Sequence, residues 1–169
     1  MGSGLITTDR NEAFACADYD GDGDIDVYAG VVAGPNRFYL NSNGTFTDIA
    51  PSLGLDIGDN CSSASWIDYD NDGDLDLHIG LRPGVDVLLA NELGQFRNVI
   101  ESSGIENPDY TSGVCWGDFD LDGDLDLYNA KLDEPDVLLW NETRPANWLS
   151  LRLVGIASNR DAVGTSVRL

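Results

Sequence analysis

"DYDGDGDIDVY", residues 18–28, places Asp18, Asp20, Asp22, Asp24 and Asp26 within nine consecutive positions. Like charges this dense repel one another unless a cation sits among them. The stretch has two echoes. Asp68 opens "DYDNDGDLD" and Asp118 opens "DFDLDGDLD", each 50 residues after the previous start. The register holds beyond the acidic core: Leu40-Asn41, Ala90-Asn91 and Trp140-Asn141 align, as do Phe46 and Phe96. Gly4-Leu5, Gly54-Leu55 and Gly104-Ile105 align too. Self-similarity at a fixed period of about 50 residues is the mark of a repeat architecture.

Within each unit the pattern is β. Small and apolar runs precede the clusters ("AFACA", "SSASWI", "SGVCWG"), and "VYAG", "LHIG" and "LYNA" follow them. "NRFYLN", "VDVLLAN" and "PDVLLWN" come next, then "GTFTDI" and "GQFRNV". These are short runs rich in β-branched, aliphatic and aromatic residues, bounded by Gly, Asn, Asp and Pro. No sustained helical period is present. Four short strands in about 50 residues is the spacing of a propeller blade. The expected fold is therefore all-β, built of about three four-stranded antiparallel blades in an incomplete ring. Residues 1–142 hold three repeats, with loops at 18–26, 68–76 and 118–126, and residues 143–169 begin a second β segment.

Numbered from its first aspartate, each cluster carries carboxylates at positions 1, 3, 5, 7 and 9 and glycine at 6. The second copy is Asp68, Asp70, Asp72, Asp74 and Asp76 around Gly73; the third is Asp118, Asp120, Asp122, Asp124 and Asp126 around Gly123. Alternating oxygen donors with a glycine at the sharp turn are how a short loop curls around Ca²⁺, which takes six to eight oxygens. All-oxygen ligands disfavour zinc and copper, and Mg²⁺ prefers to keep its waters. The expectation is three Ca²⁺ ions, one per loop. Side-chain ligands come from positions 1, 3, 5 and 9, and position 7 donates its backbone carbonyl. An EF-hand would need a bidentate Glu at position 12, where Ala29, Ile79 and Asn129 stand, and helical flanks instead of strands.

The rest of the composition narrows the function. The 169-residue chain has a net charge of −21, and three clusters of five hold half of its 30 acidic residues. Nucleic acid and anionic membrane surfaces are poor partners for such a chain. No run of 18 apolar residues exists, so no membrane span is expected. Cys16, Cys61 and Cys115 form no disulfide framework: one bridge is possible, and buried free thiols are the simpler reading. His78 replaces Tyr28 and Tyr128 in the repeat and has no second histidine or placed nucleophile, so no catalytic triad can be drawn and no enzyme is expected. Core packing is the default for Trp66, Trp116, Trp140 and Trp148.

The "D-Y/F-D-x-D-G-D-x-D" loop after a small-apolar strand resembles the FG-GAP/VCBS repeat of integrin-α-like β-propellers. "NRFYLNSNGTFTDIAPSLGL" resembles that family's blade ending, and the likeness covers about residues 4 to 142. "NWLSLRLVGIASNRDAVGTSVRL", from Asn147, is similar to the opening of the ASPIC/UnbV domain. These resemblances imply an extracellular or periplasmic adhesion or interaction scaffold with structural calcium; a carbohydrate-binding propeller is the alternative. Three blades cannot close a ring, so the chain is expected to be a fragment of a longer propeller or to complete itself by self-association.

Overall fold

A computed structural model describes residues 5, 7–58, 60–105, 110–143, 151–155 and 167. The described chain is all-β apart from one short helix. Strands β1 (Asn11–Ala17), β2 (Asp26–Val31), β3 (Arg37–Ser42) and β4 (Thr45–Asp48) pair in sequence order as an antiparallel meander. The helix α1 (Ala50–Leu53) follows, with Pro51 in its first turn and Gly54 closing it in the left-handed region. The pattern then repeats 50 residues on, in β5 (Cys61–Ile67), β6 (Asp76–Leu81), β7 (Val87–Glu92) and β8 (Gln95–Asn98). The third sheet comprises β9 (Thr111–Gly117), β10 (Asp126–Lys131) and β11 (Val137–Leu139). Three antiparallel sheets of four, four and three strands, with no closed barrel, are consistent with incomplete propeller blades. The expected fourth strand of the third blade and most of the ASPIC/UnbV-like segment lie outside the described residues.

The blades stack through their first strands, β1 against β5 and β5 against β9. The reason is legible in small residues. A Cβ built at Gly30 on β2 would lie 2.7 Å from Cys61 Cβ and 3.0 Å from Ala13 Cβ. Gly80 on β6 occupies the same slot, and its Cβ would lie 2.8 Å from Thr111 Cγ2. Glycine here lets the next blade's first residue sit on the preceding strand. Ala130 holds that slot in the third blade. Gly30→Ala is expected to destabilise by about 1–3 kcal/mol, the range for overpacking a close contact, although alanine ordinarily restricts the unfolded chain favourably. Ala130→Gly should stay within about 1 kcal/mol. Urea unfolding checks both, and a Gly30→Ala chain as stable as its parent would contradict the close approach.

The first junction is aromatic. Trp66 on β5 packs against Phe38 (5.1 Å between ring centroids), Tyr19 (5.5 Å) and, edge-on, Tyr28 (6.2 Å). The Tyr28 hydroxyl donates to the Leu55 carbonyl (3.0 Å) and accepts from the Asn36 amide (3.0 Å). At the second junction His78 stands in the Tyr28 slot and is fully buried. The Trp116 indole N–H donates to His78 Nδ1 (3.1 Å), so the ring proton sits on Nε2, 3.6 Å from Asp86 Oδ2. Asp86 accepts from Thr111 Oγ1 (2.8 Å), Asn129 Nδ2 (3.3 Å) and the Leu81 amide (3.0 Å). The histidine is thus a junction residue. Trp66, facing a tyrosine ring instead of an imidazole acceptor, leaves its buried Nε1 without a partner among the described residues.

Two expectations need correcting. Trp140 is 54 % exposed, not core, because no described strand covers β11; Trp148 lies outside the described residues. Of the cysteines, all free, only Cys61 is buried, and burial pushes its thiol up to about 12. Cys16 holds on β1 the slot that Trp66 and Trp116 fill on β5 and β9, and it is exposed because no described strand precedes β1 to pack on it. Cys115 is exposed as well. Among the described residues no helix is long and apolar enough to cross a membrane.

Candidate metal centres

Each acidic loop joins the first and second strands of its blade. Its curl comes from two left-handed residues. Position 6 is glycine throughout, with φ of 93°, 95° and 101° at Gly23, Gly73 and Gly123. Position 4 is left-handed as well, in Gly21 (72°), Asn71 (60°) and Leu121 (66°). Glycine adopts this region at no steric cost and asparagine tolerates it, whereas Leu121 does so against its own Cβ. Side chains then bond back onto the loop. The position 1 carboxylate accepts the position 6 amide in all three copies (Asp18 3.0 Å, Asp68 3.1 Å, Asp118 3.2 Å). Position 5 accepts the position 7 amide (Asp22 2.8 Å, Asp72 2.8 Å, Asp122 3.3 Å).

Position 9 is built differently. Asp26, Asp76 and Asp126 are fully buried. One oxygen of each accepts the amide of position 2 (Tyr19 2.9 Å, Tyr69 2.9 Å, Phe119 2.8 Å). The other accepts the amide of the asparagine 15 residues on (Asn41 2.7 Å, Asn91 2.8 Å, Asn141 2.9 Å). This carboxylate ties the loop entrance to the third-strand segment. The asparagines extend the tie, donating from Nδ2 to the carbonyls of Ile25 (3.0 Å), Leu75 (3.1 Å) and Leu125 (3.2 Å). Their Oδ1 atoms accept the amides of Gly44, Gly94 and Thr143. Sequence reasoning aligned Asn41, Asn91 and Asn141 without giving them a role. Their recurrence in phase, 15 residues after position 9, was the available signal.

The carboxylates converge as follows. Ligand atoms of Asp18, Asp20 and Asp22 lie within 4.8 Å of one another, as do those of Asp118, Asp120 and Asp122. In the second loop the set is Asp68, Asp70 and Asp76. Position 7 is carried away from these groups in the first two loops. Asp24 accepts the amide of Asn43, and Asp74 that of Leu93 (2.8 Å), both in the turn after the third strand. Asp124 is 1 % exposed, and neither oxygen has a hydrogen-bond partner among the described residues. Asp18 Oδ1 and Asp70 Oδ1 are likewise buried without partners. Orphaned carboxylate oxygens beside other carboxylates fit a hard cation, which would supply the missing positive charge.

The electrostatics point the same way. Burial, with the Asp70 and Asp72 charges, pushes Asp76 up to about 7 against the lowering effect of its two backbone donors. Burial and then Asp122 push Asp124 up to about 6. Asp70 is raised by burial and then by Asp72 and Asp68. Groups raised above their unfolded values bind more protons when folded, so metal-free stability falls as pH rises from about 4 to about 7. In EDTA the melting temperature should therefore increase from pH 7.5 to pH 5.5. Saturating Ca²⁺ should remove or reverse that slope, because the metal competes with the protons. Scanning fluorimetry across this range reads both trends.

A family model described as an FG-GAP-like repeat matches residues 18–79, from the first acidic loop into β6. No curated protein matches the chain. The matched span includes the first two loops in full and leaves the third loop and residues 143–169 uncovered. Residues 18–79 carry an FG-GAP-like repeat.

Proposed function

We propose that each acidic loop holds one Ca²⁺ in a structural role and that the chain is part of an extracellular or periplasmic interaction scaffold. Asp70 carries the argument. Its buried Oδ1 has no partner among the described residues, and a carboxylate oxygen of Asp70 lies within 4.8 Å of ligand atoms from Asp68 and Asp76. Without a cation that arrangement leaves an uncompensated buried acceptor among like charges. Asp18, Asp20 and Asp22 would hold the first ion, Asp68, Asp70 and Asp76 the second, and Asp118, Asp120 and Asp122 the third. Asp72 on position 5, Asp26 and Asp126 on position 9, and the backbone carbonyls of Asp24, Asp74 and Asp124 are the remaining donors in reach of the loops. The ion supplies charge neutralisation and a loop clamp; no catalytic step is assigned to the chain.

The FG-GAP-like repeat and the blade architecture support the extracellular scaffold reading. Residues 143–169, outside the matched span, would open an ASPIC/UnbV-like segment beyond the blades. Metal analysis after equilibration with millimolar Ca²⁺ tests the proposal. Three calcium ions per chain are expected, and two in Asp22→Ala. A chain that retains none, with a melting temperature indifferent to Ca²⁺, would overturn it.

A further inference from the structure

Asn41, Asn91 and Asn141 make the same bonds within their own blades but differ at the junctions. Asn41 Nδ2 donates to the Ile25 carbonyl and Asn91 Nδ2 to the Leu75 carbonyl, and among the described residues neither crosses to another blade. Asn141 Nδ2 donates to the Leu125 carbonyl (3.2 Å) in the same way and also reaches back into the second blade, to the Tyr69 carbonyl at 2.8 Å. Tyr69 is position 2 of the second acidic loop. Its amide donates to Asp76 Oδ2 (2.9 Å), and its carbonyl belongs to the peptide bond that leads into Asp70. At the other end Asn141 gives its own amide to Asp126 Oδ1 (2.9 Å). Three hydrogen bonds therefore run Asp76–Tyr69–Asn141–Asp126, from a carboxylate of the second cluster to the position 9 carboxylate of the third loop.

The first junction has no such chain among the described residues. Tyr19 is the counterpart of Tyr69, and its amide donates to Asp26 (2.9 Å). What crosses to the second blade is its ring, packed against Trp66 (5.5 Å) and Phe96 (6.0 Å). A ring contact does not orient the backbone of residue 19. A directional hydrogen bond to the carbonyl of residue 69 does orient its peptide group.

We propose that Asn141 couples the second and third loops, so that an ion in either favours an ion in the other while the first loop fills independently. This rests on the calcium reading above. An ion on Asp68, Asp70 and Asp76 fixes the peptide groups on both sides of Tyr69. The fixed carbonyl holds the Asn141 side chain, and Asn141 holds Asp126 and the Leu125 carbonyl in place for the third loop. The later ion therefore orders less of the chain than the earlier one, which is positive coupling. Charge acts the opposite way, since each bound ion weakens the negative field that draws the next. That effect is confined to no one junction and is screened over about 8 Å at 0.15 M salt.

The amide resonances of Gly23, Gly73 and Gly123, each held by the position 1 carboxylate of its loop, report the loops one by one as Ca²⁺ is titrated into the full chain at physiological salt. In Asp70→Ala, which disables the second loop, the apparent Kd at Gly123 should rise about fivefold and that at Gly23 by less than about twofold. Disabling the third loop with Asp120→Ala should weaken binding at Gly73 by the same factor as Asp70→Ala does at Gly123. Asn141→Ala should erase both effects. Asn91→Ala removes the matching bonds inside the second blade but none across a junction, so it should leave the response of Gly73 to Asp120→Ala intact. If Asn141→Ala does not fold, the comparison of Gly123 with Gly23 in Asp70→Ala decides alone. Equal changes at Gly23 and Gly123 would overturn the relay, because the fold at large would then carry the coupling; so would an unchanged Gly123. Glycine signals that ignore Ca²⁺ in all three loops would overturn the metal reading itself, and the relay with it.

Discussion

Stripping the chain of divalent cations with EDTA is expected to lower its melting temperature by about 4–20 °C relative to 2 mM Ca²⁺. Sites with dissociation constants of roughly 10⁻⁴–10⁻³ M, the range of extracellular modules, stabilise by about 0.65–1.8 kcal/mol each at that concentration. Three such sites contribute about 2–5 kcal/mol, a large share of the stability of an ordinary domain. The effect is amplified by what remains when the ions leave: fifteen carboxylates in three short loops, three of them with buried oxygens that have no partner among the described residues. Mg²⁺ at the same concentration should restore little of the loss, since it holds its waters and demands stricter geometry. An unchanged melting temperature in EDTA would mean that the loops hold themselves together by their backbone hydrogen bonds alone.

The blade architecture was legible because it is written three times. A single "DYDGDGDID" is only an acidic turn, whereas three in phase fix the spacing of strands and place β1, β5 and β9 at 50-residue intervals. Position 6 glycine was readable for the same reason. Three things were not readable. The left-handed backbone at position 4 is carried by three different residues, Gly21, Asn71 and Leu121, so no residue type announces it. Gly30 and Gly80 read as ordinary strand glycines, because the demand on them comes from Cys61 and Thr111 in the next blade. The second cluster draws on Asp76 where the other two draw on Asp22 and Asp122, a difference of side-chain orientation within near-identical sequences. Pattern shows which residues share a loop; it does not show which way each carboxylate turns.

Asp76→Ala should separate folding from metal binding. Both oxygens of Asp76 accept buried or half-buried backbone donors, the amides of Tyr69 and Asn91. Removing the carboxylate orphans both, at about 1–3 kcal/mol for each unsatisfied donor, so a loss of about 2–6 kcal/mol is expected even in EDTA, where no bound ion is lost with it. Asp74→Ala should cost far less. Its carboxylate accepts only the exposed Leu93 amide, which water can satisfy once the side chain is gone. The pair carries the same charge change at neighbouring odd positions of one loop, so a general relief of repulsion would move both variants alike. Urea unfolding in EDTA, where neither variant can lose a ligated ion, distinguishes the two cases. If Asp76→Ala and Asp74→Ala lose equal stability there, Asp76 matters only as a ligand of the second ion. If only Asp76→Ala collapses, position 9 is the tie between loop and third strand, and the cation closes a loop that this buried carboxylate has already anchored.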